Sequence, residues 1–334
     1  MRRTAVLASA ATLDLVLGEP PNSLHPVAWF GRLVSAVERR SPRGTPRIEL
    51  AAGTALAILL TGAASVAGLL AARGLRRLGG QRPSARARAD IRQTIAFVAE
   101  AWLLKITLAV RGLFEAARAV QMALERGDPD TARHALRNLV SRETGHLSAP
   151  LIAAAAIESV AENASDSIVA PALAYLAFGL PGAAAYRAIN TLDAMIGYRG
   201  EREWIGKAAA TLDDLANLVP ARLTAGLVVL AATARRSGQG ALAALETDHD
   251  KTSSPNAGWP MSAVAGALGV QLEKVGHYRL GAPGRPPTAR DVGEAIGLVR
   301  AAIVLGLGIL AGLQGIGRVL SRPGSAHLAT ALAP

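Results

Sequence analysis

Apolar positions along the chain gather into long runs, and polar positions cluster between them. Residues 50–72 form a 23-residue run without a charge. A hydrocarbon core about 30 Å thick is crossed by roughly 20 helical residues. Residues 301–317 form a 17-residue run bounded by Arg300 and Arg318, and residues 215–234 are apolar apart from Arg222. Residues 167–186 make a 20-residue run interrupted by Pro171 and Pro181. Residues 91–113 are a weaker candidate, with Glu100 and Lys105 inside, and residues 5–18 are too short to span alone and carry Asp14. Several such runs, longer than ordinary core helices of about 11–12 residues, favour a membrane bundle over an Ala-rich soluble core. Gly308 and Gly312 make a GxxxG, a spacing that lets helices approach closely.

Between the runs, residues 73–92 contain seven Arg and one Asp, with Gly79-Gly80 and Pro83, and read as a polar connector. Residues 94–126 read as one helix ended by Gly127-Asp128-Pro129. Asp130 is placed to cap the next helix, which carries Arg133, His134 and Arg137. Residues 237–240 break the chain again, and a Gly/Pro loop at 281–287 precedes a final helix. No sustained period-2 pattern or internal repeat occurs. The fold class expected is all-α, a polytopic transmembrane helical bundle with polar motif-bearing loops. It reads as one domain over 1–334: an N-terminal motif segment at 1–47, a membrane helix at 48–72, the basic connector at 73–92, a catalytic core at 93–280 and a C-terminal membrane helix at 288–320.

Composition sharpens this picture. Hydrophobic residues make up 51% before 34 Gly are counted, above the soluble range of about 45–50% that includes Gly. The absence of Cys excludes disulfides, thiolate metal sites and cysteine nucleophiles. A net charge of +11 admits nucleic acid as a partner, but aromatics are only 4% and the Arg residues flank apolar runs, which fits membrane-flanking charge. Met-Arg-Arg before an apolar stretch resembles the start of a signal peptide; no clear cleavage context follows, so it reads as part of the protein. The loops at 73–92 and 32–47 are both basic with one span between them, so the positive-inside rule does not settle orientation. The motif-bearing loops are expected in the cytoplasm, where nucleotide is.

Acids and amides near apolar segments are costly and mark function. Val140 to Thr144 includes Arg142 and Glu143. Glu158, Glu162 and Asp166 recur every four residues and would share one helix face, where they repel unless a cation sits among them. Asn163 lies in the same stretch. Asn190 and Asp193 precede Gly197, Tyr198, Arg199 and Lys207; then come Asp213, Asp214, Asn217 and Arg222, with Asp213 and Asn217 again four apart. Hard oxygen ligands of this kind suit Mg²⁺, which commonly takes one or two carboxylates plus substrate phosphates. Neighbouring Arg and Lys suit phosphate oxygens. Ser254-Pro255-Asn256-Ala257-Gly258-Trp259-Pro260 reads as a rigid loop that presents Asn256 and Trp259 to a pocket. His25, in His25-Pro26-Val27, is a ligand, a general base or a satisfied turn residue.

Taken together and in order, these segments resemble one family. They are D-x3-G-[DE]-P-P from Asp14 with the H-P-V of His25, then [GS]-R-[DE]-T at Arg142, E-[ST]-V-A-E-N-x-S-D at 158–166 and N-T-L-D-x-M-x-G-Y at 190–198. L-D-D-x-A-N-x-[VIL]-P-A-R-L-T at 212–224 and S-P-N-A-G-[WY]-P at 254–260 complete the set. The chain resembles the CbiB/CobD proteins, the adenosylcobinamide-phosphate synthases of cobalamin assembly, over nearly its whole length. Glu19 and Glu143 stand where Asp is common.

The resemblance implies ATP-dependent amide formation between adenosylcobyric acid and an aminopropanol phosphate or related amino alcohol, through an acyl phosphate. It implies Mg²⁺ and ATP as cofactors and a corrinoid as substrate. Other partners implied are the lipid bilayer, other cobalamin-assembly enzymes and a second copy of the chain, with no nucleic acid. The place implied is a bacterial cell membrane, crossed several times. Metal would sit among Glu158, Glu162, Asp166, Asp193, Asp213 and Asp214. Glu162 or Asp166 would serve as base, with His25 in reserve. Arg142, Arg199, Lys207 and Arg222 would bind phosphates, and Asn163, Asn190, Asn217 and Asn256 would orient amides. Tyr198 and Trp259 would pack on the corrin. No G-x4-G-K-[ST] occurs, so the nucleotide site is not a P-loop.

The main rival is a membrane prenyltransferase, because Asp213-Asp214-Leu215-Ala216-Asn217 approaches DDxxD; its last position is Asn and no second Asp-rich box follows. A CDP-alcohol phosphotransferase lacks its Asp-Gly and downstream Asp pair. A corrinoid transporter or scaffold is the non-enzymatic rival, and inverted repeats would favour it.

Overall fold

The computed structural model describes residues 2–42, 44–80, 86–197 and 203–320. The chain opens with α1 (Arg2–Leu17), α2 (Pro26–Arg40) and the long α3 (Pro46–Gly80). Then come α4 (Arg86–Lys105), α5 (Val110–Glu125), α6 (Pro129–Leu136) and α7 (Ala149–Ala164). A π-helical turn (Ser165–Val169) joins α7 to α8 (Ala170–Phe178) and α9 (Leu180–Ile196). After α10 (Glu203–Ala234), α11 (Gly238–Asp248) and α12 (Gly258–Leu268), a hairpin of β1 (Leu272–Lys274) and β2 (Tyr278–Leu280) leads to α13 (Ala289–Leu320). The all-α class holds, with that one hairpin beside it.

Four stretches are long and apolar enough to cross a membrane: Pro46–Gly79, Asp90–Glu125, Glu203–Ala234 and Ala289–Leu313. Ile58, Leu59, Val66 and Leu70 on α3, and Val304, Ile309 and Leu313 on α13, are exposed. An apolar surface of that extent suits lipid better than water.

Several expectations are corrected. Residues 167–186 do not form one span: the π turn and the break at Gly179, with φ +74°, divide them into short helices. Residues 94–126 are two helices, α4 and α5, with a turn between them. Asp14 explains the break. Its Oδ2 accepts from the N–H groups of Val110 and Arg111, both at 2.9 Å, so α1 caps the first turn of α5. Most described positions of the 73–92 connector are helical, because α3 runs to Gly80 and α4 starts at Arg86. Asp128, not Asp130, caps α6: its Oδ1 accepts from the N–H of Thr131 at 3.0 Å, while Asp130 pairs with Arg133. Gly308 and Gly312 meet nothing within 4 Å, so the GxxxG brings no helix close within the described chain. The expected loop 254–260 becomes helical at Gly258, where Pro260 is tolerated in a first turn.

At the centre is α7, with Ile152, Ala153, Ala155, Ala156 and Ile157 fully buried. Its Ala run lets α5, α12, α13 and the hairpin pack around it. A second layer joins α3, α9 and α10. There Gly53 is needed for close approach, since a methyl group on it would lie 2.0 Å from the carbonyl oxygen of Ile205.

Candidate functional site

Five segments meet at a polar cleft of about 250 Å³. Glu162 comes from the last turn of α7 and Asp166 from the π turn; Asp193 and Gly197 come from the end of α9; Asp213, Asp214 and Asn217 come from α10. Ser254, Asn256 and Pro260 close the far wall at the entry to α12. Residues separated by about a hundred positions therefore face one space.

Hydrogen bonds fix the α10 acids. The Tyr186 hydroxyl donates to Asn217 Oδ1 at 2.7 Å, and Asn217 Nδ2 donates to Asp213 Oδ2 at 2.9 Å. Asn190 Nδ2 approaches the other Asp213 oxygen at 3.4 Å. Asn256 Nδ2 donates to the backbone carbonyl of Asp214 at 2.7 Å, and Ser254 Oγ donates to its carboxylate at 3.3 Å. Amides spent in this way hold carboxylate oxygens in place; the i, i+4 spacing of Asp213 and Asn217 is what puts them on one helix face.

Crowding makes the cleft hold protons. Burial, and then Asp213 and Asp214, push the Asp193 carboxyl up to about 7. Burial raises Glu162 too, opposed by Lys274 and helped by Asp213. Asp166 lies well above the usual carboxylate range, from burial first and then from Glu162, Asp213 and Asp193. A bound cation would reverse this balance. Among the described residues no three acidic or histidine side chains already stand close enough to hold a metal ion by themselves.

The remaining sequence candidates are spread over several places. Glu158 turns away from the cleft to pair with Arg142, Nη2 to Oε2 at 2.9 Å. Arg222 stacks its guanidinium 4.5 Å from the Trp259 ring and donates to Asn256 Oδ1 at 3.2 Å; His249 packs against the same Trp at 4.4 Å. Lys207 is exposed, over the Trp204 ring. Asn163 faces elsewhere, donating to Ser159 and accepting from Ser167. His25 is buried as the cap of α2, with Nδ1 accepting from the N–H of Val27 at 3.1 Å. Tyr198 and Arg199 lie outside the described residues.

Sequence reasoning missed three contributors. Tyr186 anchors the amide chain, and the hairpin brings Lys274 and Tyr278 beside Glu158 and Glu162. Tyr186 ends an apolar run and the other two lie outside every motif, so their spacing carried no signal.

The model of the CobD/Cbib protein family matches residues 7–303. A cobalamin biosynthesis protein CobD from Dehalococcoides mccartyi is 39% identical over 306 residues, covering 90% of this chain and 95% of that protein. One from Geobacter metallireducens is 41% identical over 290 residues, 86% of each chain, and one from Klebsiella pneumoniae is 36% identical over 317 residues, 90% of this chain and 94% of that protein. No solved structure matches. With the family model spanning most of the chain and the acid-bearing motifs folded around one cleft, the chain belongs to the CobD/CbiB family of cobalamin biosynthesis proteins.

Proposed function

We propose that the chain is an ATP-dependent acid–amine ligase that joins adenosylcobyric acid to an aminopropanol phosphate or a related amino alcohol, giving adenosylcobinamide phosphate. The observation that carries this reading is the meeting of Glu162, Asp166, Asp193, Asp213 and Asp214 in one cleft, in a chain of this family.

A carboxylate does not accept an amine directly. Its oxygen first attacks the γ-phosphorus of ATP, forming an acyl phosphate and releasing ADP. The amine nitrogen then attacks the acyl carbon, the C–O bond to phosphate breaks, and inorganic phosphate leaves with the electron pair. When bound, Mg²⁺ would neutralise the polyphosphate charge, held by Asp213 and Asp214 with Asp193 at hand. The incoming ammonium must lose a proton, and we assign Glu162 or Asp166 to take it, as carboxylates that a bound cation would keep ionised. Arg142, Lys207, Arg222 and Arg199 are the cations for phosphate oxygens. Trp259, with Arg222 and His249 against it, is the aromatic group assigned to the corrin. The active loops lie on the cytoplasmic side of a cell membrane, where ATP is.

Purified protein in detergent, given ATP, Mg²⁺, adenosylcobyric acid and aminopropanol phosphate, should release ADP and form a heavier corrinoid by mass spectrometry. Untouched ATP, together with corrinoid uptake by vesicles, would hand the chain to the transporter reading.

A further inference from the structure

On the other side of the α7–π-turn junction lies a second polar cavity, of about 330 Å³, lined by Glu19, Asn138, Ser159, Asn163, Ser167 and Arg187 among others. None of these six lines the acid cleft. The neutral side chains on its walls are largely satisfied within the protein. Ser159 Oγ donates to the Leu139 carbonyl at 3.0 Å, Asn163 Nδ2 donates to the Ser159 carbonyl at 3.0 Å, and Ser167 Oγ donates to Asn163 Oδ1 at 3.1 Å.

The two charges are not satisfied in this way. Arg187 Nε is sealed from water without a hydrogen-bond partner. Among the described residues no carboxylate comes within ion-pairing distance of Arg187 and no cation within that distance of Glu19, although each is the other's neighbour in charge. The Glu19 carboxylate lies over Gly112, where an added methyl group would come to 3.3 Å from Oε1, so the α5 backbone leaves the space open. A guanidinium on the cavity wall with no counter-charge within ion-pairing distance among the described residues leaves hydrogen-bonding capacity that a ligand can fill.

We infer that this cavity is a subsite for a small zwitterion with a phosphate monoester at one end and an ammonium at the other, the phosphate on Arg187 and the ammonium on Glu19. It is too small for a corrin ring and has room for a short carbon chain between two charged ends. The inference rests on the ligase reading for its choice of ligand, since an amino alcohol phosphate is such a molecule.

The test is equilibrium binding to the full chain in nanodiscs, with three probes: aminopropanol phosphate, propyl phosphate and aminopropanol. The wild type should prefer the first over either half-ligand by about tenfold or more. Arg187→Gln should weaken both phosphate-bearing probes by a similar factor while Mg²⁺-ATP binding is retained. Glu19→Gln should bring aminopropanol phosphate down to the level of propyl phosphate. Should Arg187→Gln fail to fold, Asn138→Asp, at an exposed position on the cavity wall, should weaken phosphate binding by repulsion. Unchanged affinities in the folded variants would overturn the subsite. If they retain turnover with an unaltered KM for the amine, the ligase reading stands without it. Binding as described in a protein that never splits ATP would leave the subsite standing and remove the ligase.

Discussion

Gly197 has no room for a methyl group. A Cβ there would lie 2.0 Å from Asp193 Oδ1 and 2.7 Å from the Asp193 carbonyl, so Gly197→Ala must push that carboxylate aside. A displacement near 1 Å in a site can cost about 100-fold in rate. The variant should lose roughly that much kcat in an ADP-release assay on the protein that remains folded; full activity would remove Asp193 from the site. Glu158 makes a different prediction. Burial holds its proton up to about 7, against the pull of Arg142 and with help from Glu162. From about pH 5 to 7 the folded protein keeps a proton that the unfolded chain, titrating near 4.5, has lost. Stability therefore falls as pH rises through that window, by up to roughly 3 kcal/mol, and levels off above it. Glu158→Gln should make this slope shallower in thermal melts between pH 5 and 8, the remainder coming from Asp193 and the other raised cleft acids. An unchanged slope would mean that Glu158 is ionised throughout.

Among the elements, the α4–α5 break depends on a residue far away in sequence. Asp14 is fully buried, caps two N–H groups of α5 and lies 3.7 Å from the equally buried Lys105, whose ammonium also donates to the Gly18 carbonyl. Asp14→Asn loses the charge that balances Lys105 and weakens the cap, at a combined cost of roughly 3 kcal/mol. Its thermal midpoint in detergent should drop by several degrees, and a shift within error would mean that the cap does not hold the break. From sequence alone, the run 94–126 looked continuous because both helices are apolar and the capping carboxylate belongs to α1. For the same reason Asp14 read as the start of a motif in a short apolar segment, not as the cap of a distant helix. The stripe of Glu158, Glu162 and Asp166 was legible as a helical face, but the fold separates its members. Glu162 and Asp166 reach the cleft, while Glu158 turns to Arg142. The π turn that re-aims the chain at 165–169 has no signature in local propensity. Lys274 and Tyr278 were illegible too, since their meeting with α7 depends on a long-range docking of the hairpin.

Over the whole molecule, the apolar runs located α3, α10 and α13, because a lipid-facing helix must be apolar over a length set by the bilayer. The runs could not show how helices break and pair, which decides where motifs converge; Arg187 and its cavity stayed hidden for that reason. The absence of Cys makes topology testable with one substitution. Asp250 is exposed in the turn before the cleft wall, so Asp250→Cys should react with an impermeant maleimide in inside-out vesicles and resist it in intact cells. The opposite pattern would put the cleft on the wrong side for cytoplasmic ATP.

The central claim is that acids from separate helices act together to hold a metal-bound polyphosphate. Its most direct test is a paramagnetic resonance titration of Mn²⁺, in place of Mg²⁺, with a non-hydrolysable ATP analogue on the purified protein and on Asp213→Asn/Asp214→Asn. The wild type should take up Mn²⁺ only with nucleotide present, and the double variant should bind it about tenfold or more weakly. Equal uptake by both proteins would contradict the account.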